Sequence, residues 1–559
     1  MRTLRSAVFG AILIAAVGSI PATAAHAADG LAEASLSPTS LAFGQVNIGH
    51  STSQTVTVTS TGDTSLTPGA VSLTGANAAA FSVTGNTCTG ATLTTGQTCT
   101  IRVTANPVTA GAQAATLNVV ANTAAGSLTA DVTATGVKEG GGTYFPVNPA
   151  RILDSRTGNG VTKGIVGKGG TVHLQVTGRG GVPSTGVSAV VLNLTVTGTT
   201  GPGFLTAYPS GAAVRPTASS LNFAKGWTRS NSVTVQVGTG GKVDIYASAS
   251  THIIADVSGW YGANGLSSVG GQLQSVEPYR KFDSRTDWGQ PLHSDEWGQF
   301  AFNFGADFNS HLRAVIVNIT AIGGPKGGYL TAWNGDPNNI PSTSTVNYLA
   351  KEITPNLAVV PVGPCYLCDP GYTDLPSITV LTLQDTNFII DVVGLIDDGT
   401  VSDGLRFTPA APQRIVDSRI GQGLGANLGT AQTGAVTVPA EVAPAGTQAL
   451  ALNITGVTPT AATYLTAWPS DLPKPEVSNL NLAKGQVAAN QGLTFLAGSQ
   501  FNVYNNNGTT GVVIDAVGSY WLYPGTAGSL GTIAVQGIRG GSGHELFEKG
   551  APAAVQHKA

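Results

Sequence analysis

Charge is scarce in this chain. Lys and Arg number 27 and Asp and Glu 30 among 559 residues, 10% of the total, and they nearly cancel to a net charge of −3. Nothing in that balance grips nucleic acid or an anionic membrane. Long apolar runs are missing as well. The longest, Ala7 to Ile20, is too short for a membrane span, and no later stretch is long and apolar enough to cross a bilayer. The familiar catalytic and nucleotide motifs are also missing: G-x-S-x-G, H-E-x-x-H and the P-loop do not occur. The glycine pairs Gly158/Gly160 and Gly421/Gly423 do not continue as G-x-G-x-x-G. The eight histidines are scattered without the signature of a triad, and no cofactor is expected. Disorder is not the explanation for the low charge, because 42% of the chain is hydrophobic.

What is abundant is the vocabulary of short strands and turns: Gly (74), Pro (30), and many Thr, Ser, Val and Asn. Ahead of these lies "MRTLRSAVFGAILIAAVGSIPATAAHA", with Arg2 and Arg5 before the apolar run and Ala25-His26-Ala27 after it. That is the pattern of a secretory signal peptide over residues 1–27, cut after Ala27. The expected location is extracellular, free or held non-covalently at the cell wall. The four cysteines suit an oxidising compartment. Cys88 and Cys99 flank a turn-rich stretch, and Cys365 and Cys368 form "PCYLCDP"; both pairs are expected to be structural disulfides. The alternatives for the second pair are redox chemistry and metal binding. Flanking prolines oppose the first, and the absence of further ligands nearby opposes the second.

Residues 33–137 contain several short alternating segments, such as "QTVTVTSTG", "CTIRVTA" and "ATLNVVA". This spacing predicts an Ig-like β-sandwich. The stretch "SPTSLAFGQVNIGHSTSQTVTVTSTG", with "FSVTGNTCTG" and "GQTCTIRVTANP" after it, resembles the hydin/abnormal-spindle Ig-like family in its choice-of-anchor D form. The resemblance implies a non-catalytic spacer or interaction module.

From about residue 143 the chain aligns with itself at a period near 130. "RILDSRTG" matches "RKFDSRTD" and "RIVDSRIG"; "AVVLNLTVTG" matches "AVIVNITAIG" and "ALALNITGVT"; "SSLNFAKG" matches "STVNYLAK" and "SNLNLAKG". The copies cover 143–262, 275–398 and 405–523, and a Gly-rich tail, 524–559, follows. Each copy is long enough to be a domain. Each reads as about eight strands without a helix, so the expected fold is all-β: an Ig-like sandwich, then three tandem antiparallel β-sandwich or jelly-roll-like domains. The copies resemble a repeat of exported actinobacterial proteins, read as R-[IL]-[LV]-D-[ST]-R, V-V-L-N-[LV]-T-V and D-V-x-G-[WY]-[YF]. The second copy departs most, with Leu395 where the aromatic stands. The resemblance implies an accessory or surface role and names no ligand.

The triplication kept a set of polar residues: Arg151/280/414, Asp154/283/417, Arg156/285/419, Asn193/318/453, Asn222/347/481, Asn231/356/490 and Asp256/391/515. An unpaired carboxylate inside an apolar strand is very costly. Asp256, Asp391 and Asp515 therefore need cations, and Arg156, Arg285 and Arg419 are expected to supply them. Asp154 and its equivalents are expected to cap the following turn, and the Asn side chains to bond loop backbone. A glycosidase-like carboxylate pair and a calcium site are rival readings of the same residues. The sequons at Asn193, Asn318 and Asn453 fall inside predicted strands and read as strand patterning. Tyr208, Trp333 and Trp468 share one repeat position, where an aromatic ring either packs the sandwich rim or contacts a glycan. Together these readings point to an exported, non-enzymatic surface or matrix adhesion protein. A cell-wall glycan-binding protein is the alternative and a secreted hydrolase a third reading; the partner is a cell-wall glycan or another surface protein.

Overall fold

The computed structural model describes residues 31–523, apart from 367, 369–371 and 402–403, together with the backbone of a strand at Ala553–His557. The expected signal peptide and most of the Gly-rich tail lie outside the described residues. The described chain is nearly all β and forms two compact units, Met1–Val137 and Lys138–Ala559. No helix in it is long and apolar enough to cross a membrane.

The first unit is a sandwich of two four-stranded sheets. Its strands alternate apolar and polar residues, so each sheet contributes one face to the core. Val56 and Val58 of Thr52–Ser60 meet Ile101 and Val103 of Thr98–Ala105 there. Cys88 and Cys99 are bonded, with Cα atoms 5.0 Å apart, and both are buried in this core.

The second unit contains the triplication. The first copy has two antiparallel four-stranded sheets. One runs Arg229–Gln236, Val187–Thr197, His252–Gly262, Tyr144–Asp154; the other runs Thr171–Gln175, Lys242–Ala247, Gly203–Pro209, Leu221–Phe223. Numbered along the copy these orders are 6-3-8-1 and 2-7-4-5, the jelly-roll connection. The third copy repeats the arrangement. The second repeats it with additions: Gly363–Pro364 pairs with Pro376–Thr382, and Ala553–His557 pairs antiparallel along Glu296–Ala301.

Each copy has its own core, as expected. In the first, Val190, Leu192, Leu194 and Val196 of Val187–Thr197 face inward. The opposite face of that strand is covered too. Ala189 and Val191 join Ala314, Ile316, Ala449 and Ala451 in a further apolar cluster drawn from all three copies. Tyr261 of the first copy packs on Phe407 of the third at 4.4 Å between ring centroids, and its hydroxyl bonds that of Tyr520 at 2.8 Å. Leu273–Gln274 bridges the second copy to the third, pairing with strands of both. The three jelly rolls thus share a fourth core and form one body.

Candidate functional site: the recurrent polar residues and the axial cavity

The strand Tyr144–Asp154 lies beside His252–Gly262 in a register that places Arg151 opposite Asp256. The guanidinium donates to both carboxylate oxygens, at 2.8 and 3.2 Å. Arg414 does the same to Asp515 at 2.6 and 3.3 Å. Arg280 reaches Asp391 at 2.9 Å through Nε. The expected pairing of these carboxylates with Arg156, Arg285 and Arg419 is therefore wrong. The strand ends at Asp154, so Arg156 already lies in the turn, where it folds back on Asp154 two residues earlier. Its Nε and Nη2 donate to the Asp154 carboxylate at 3.0 and 2.7 Å. Arg285–Asp283 and Arg419–Asp417 repeat the contact. The strand period carried the missed signal: a residue inside the strand faces its neighbour across the ladder, and one beyond its end does not.

Asp154, Asp283 and Asp417 also accept the backbone N–H two residues on, as a turn cap does. Hydrogen bonds from the arginine hold their carboxyls below the usual range. Burial has the opposite effect on Asp256 and Asp515, raising both. Asp391, which has only one arginine hydrogen bond to offset its burial, is pushed up to about 6. The second copy's pair is one hydrogen bond short, since Asp391 Oδ2 is buried without a partner among the described residues. Asp391 titrates near 4 in the unfolded chain, so between about pH 4 and 6 the folded chain binds more protons. Stability contributed by this group is therefore present below about pH 4 and is lost as pH rises through 6. Relative to an Asp391→Asn variant, the parent should gain melting temperature on going from pH 7 to pH 5. Parallel melting curves at both pH values would refute this.

The recurrent serine of the DSR motif was not singled out in the sequence, yet it is used in every copy. Ser155, Ser284 and Ser418 each accept a strand N–H, from Ile253, Phe388 and Val512. Ser155 Oγ also lies 2.9 Å from His252 Nδ1, a nucleophile–base contact in outline. Ser155 is fully buried, however, and an asparagine stands opposite the serine in the other two copies, Asn387 and Asn427.

The asparagines bond loop backbone as expected, but across copies. Asn193 Nδ2 donates to Ser344 O at 2.6 Å, Asn318 to Ser478 O at 2.7 Å and Asn453 to Ser219 O at 2.5 Å. Their carbonyls accept from Asn356, Asn490 and Asn231 at 2.9, 2.9 and 3.1 Å. The last three accept in turn from backbone N–H groups of Ser232, Leu357 and Gln491. First to second, second to third and third to first, the same bonds close a ring with pseudo-threefold symmetry. The three formal sequons sit in this ring, inside strands, with Asn318 and Asn453 buried and Asn193 partly buried.

Two residues beyond each central asparagine, Thr195, Thr320 and Thr455 are buried, and their hydroxyls have no partner among the described residues. Replacing a buried, unpaired hydroxyl by a methyl removes a desolvation cost. Thr195→Val, Thr320→Val and Thr455→Val should each be neutral or stabilising by up to about 1 kcal/mol. A loss above that size in thermal melting would mean the hydroxyls have partners.

Tyr208, Trp333 and Trp468 are packed in the rim. They are 7%, 1% and 5% exposed, and the two indoles donate to Asp336 O and Leu472 O. The glycan-contact reading of these three is thereby corrected: each ring is covered by its own sandwich and has no face to offer. Cys365 and Cys368 are bonded with Cα atoms 5.4 Å apart. Among the described residues no three His, Cys, Asp or Glu gather as metal ligands.

The feature open to a ligand is elsewhere. The loops after Leu221–Phe223, Val346–Tyr348 and Leu480–Leu482, equivalent in the three copies, converge on an open cavity of about 870 Å³. Trp227 and Tyr464 are partly exposed in its wall. In its wall Glu352 accepts from Arg229 at 2.6 Å and from Gln486 at 2.5 Å, and Arg229 lies 4.9 Å from the Trp227 ring centre. The equivalence of these loops is legible in the sequence, whereas their meeting is a product of the assembly.

No curated protein matches the chain. Among solved structures, the VesB protease of Vibrio cholerae is 22% identical over 18% of this chain and 31% of its own, with a TM-score of 0.15. The secreted serine protease VesC of the same organism is 14% identical over 39% of this chain and 49% of its own, also at 0.15. The chain spans about a third and about half of those two proteins. The triple jelly roll protein of an archaeal virus turret is 10% identical over 68% and 90%, at 0.14. Scores of this size carry no argument. Residues 31–127 match the family model for ASH, described as Abnormal spindle-like microcephaly-assoc'd, ASPM-SPD-2-Hydin, and the N-terminal sandwich is thus an Ig-like domain similar to that family.

Proposed function

We propose that this is an exported, non-enzymatic surface or extracellular-matrix interaction protein of the adhesion kind, built from an Ig-like module and a fused trio of jelly rolls. The observation that carries the reading is how the triplicated polar residues are used. Arginine, aspartate, serine and asparagine are spent on strand register, turn caps and the bonds between copies. Among the described residues these sets are bonded to one another and to backbone. Two disulfides and the leader-like N-terminus support export.

The reading is tested by incubating the full secreted chain with isolated cell walls and with purified extracellular polysaccharides. Retention on the solid phase, with no release of soluble fragments, is expected. Catalytic release of sugar or peptide fragments would replace this reading with the hydrolase one. N-terminal sequencing of the secreted chain should begin at Ala28; an uncleaved chain retained in the cell would refute export. The partly exposed Trp227 and Tyr464 of the axial cavity favour the glycan-binding alternative within the same reading.

A further inference from the structure

We infer that the axial cavity binds an acidic saccharide, a sugar chain bearing carboxylate or phosphate groups; this rests on the surface-interaction reading above. Size comes first. A volume near 870 Å³ lies within the range of small-molecule sites, and the cavity is open to solvent, so that a polymer end can enter. The wall supplies the two groups that sugar recognition uses: apolar ring faces for the C–H side of a pyranose, and amides and cations for its polar edge. Trp227 and Tyr464 provide the faces. Asn481 and Asn506 bring amides.

The charge decides the class. The carboxylate in the wall, Glu352, is neutralised by Arg229 and accepts a further hydrogen bond from Gln486. Lys351 and Lys484 line the cavity, are exposed and make no ion pair among the described residues. The net potential is therefore positive, in a chain whose overall charge is −3. Every copy keeps a lysine in this turn: Lys225 and Lys484 at one position, and Lys351 one residue later.

That shift places Lys351 in the left-handed conformation, at φ 60°, where the equivalent Gly226 and Gly485 have φ 77° and 74°. Only glycine takes that conformation without strain. The second copy thus holds a cation at the mouth in a conformation that glycine would occupy more easily. Strain of this kind clusters at binding sites. Structure alone gives no reason to prefer lysine there, and an anionic ligand does.

The test uses the full-length secreted chain and three polymers. Polygalacturonate carries carboxylates, poly(glycerol phosphate) carries phosphodiesters, and dextran is neutral. Calorimetric titration at low salt should show binding to at least one acidic polymer and none to dextran. Whichever acidic polymer binds identifies the source of the charge. Lys351→Ala with Lys484→Ala should weaken that binding at least tenfold, and so should added salt. Trp227→Phe should weaken it less. Lys351→Gly should raise the melting temperature while lowering affinity, a combination that a purely structural lysine does not produce. Failure to bind either acidic polymer, equal binding to dextran, or a double lysine variant that binds like the parent would each overturn the inference. Retention on cell walls that survives the double lysine change would leave the surface reading standing and this inference refuted.

Discussion

Asn490→Ala should destabilise the C-terminal unit by about 3–5 kcal/mol, the size expected when several buried polar partners are orphaned together. Asn490 is 1% exposed. Its amide donates to Asn318 Oδ1 at 2.9 Å and to Asn479 O at 2.6 Å, and its carbonyl accepts from Leu357 N at 3.1 Å. Truncation leaves an amide oxygen, a backbone carbonyl and a backbone N–H in a site with little access to water. Two of those orphans belong to the second copy and one to the third, so the damage falls on the joint between copies. Asn231→Ala and Asn356→Ala should lose similar amounts, because each makes the equivalent bonds. The measurement is calorimetric melting of the full chain. The parent's three jelly rolls should unfold in one transition, since they share a core. The variant should melt lower, with the transition broadened or split. The double variant Asn490→Ala with Asn318→Ala should lose less than the sum of the two single losses, because the pair is removed together. A loss below about 1 kcal/mol in all three single variants would mean that water replaces the ring without cost.

The second large effect separates two arginines five residues apart. Arg151→Ala should cost about 3 kcal/mol, the lower end for breaking a buried pair, since the Arg151 side chain is itself 28% exposed. Its partner Asp256 is 3% exposed and already pushed up by burial, so without the guanidinium it must take a proton or draw in water. Arg156→Ala should cost less, about 1 kcal/mol, because Arg156 is 45% exposed and the buried Asp154 keeps two other partners, the Arg151 guanidinium at 3.5 Å and the backbone N–H of residue 156. Equal losses for the two variants, or a larger one for Arg156, would reverse the assignment made from the ladder register. Replacing Arg151 and Asp256 together by apolar residues should cost less than either single change, since no buried charge is left without a partner. The second copy should respond differently. Arg280 gives Asp391 one bond and is 36% exposed, so Arg280→Ala should cost less than Arg151→Ala.

Local pattern was enough for the class of fold. Alternation in segments such as "SAVVLNLTV", with turn residues between them, leads to all-β sandwiches. The spacing of the cysteines led to both disulfides. That Asp256, Asp391 and Asp515 must meet arginine also followed from the sequence, because burying a charge alone is prohibitive. Which arginine did not follow. The answer depends on the residue at which the strand ends and the turn begins, and on a ladder register interrupted by irregularities between Ala255 and Asp256 and between Val257 and Gly259.

The deeper limit is the second face of the central strands. Val191, Asn193 and Thr195 read as the ordinary polar side of a half-buried strand, and in an isolated domain they would face water. In the assembled molecule they lie against the neighbouring copy, where Val191 enters the shared core, Asn193 enters the ring and Thr195 is buried. A sequence states which residues alternate; it does not state what covers each face. Three copies of one pattern on one chain could have been three beads. Only the tertiary structure decided that they close around an axis, and with that closure came the cavity where loops more than a hundred residues apart in sequence meet. The physical reason is that strand formation depends on neighbours within a few residues, whereas closure depends on the complementarity of whole surfaces.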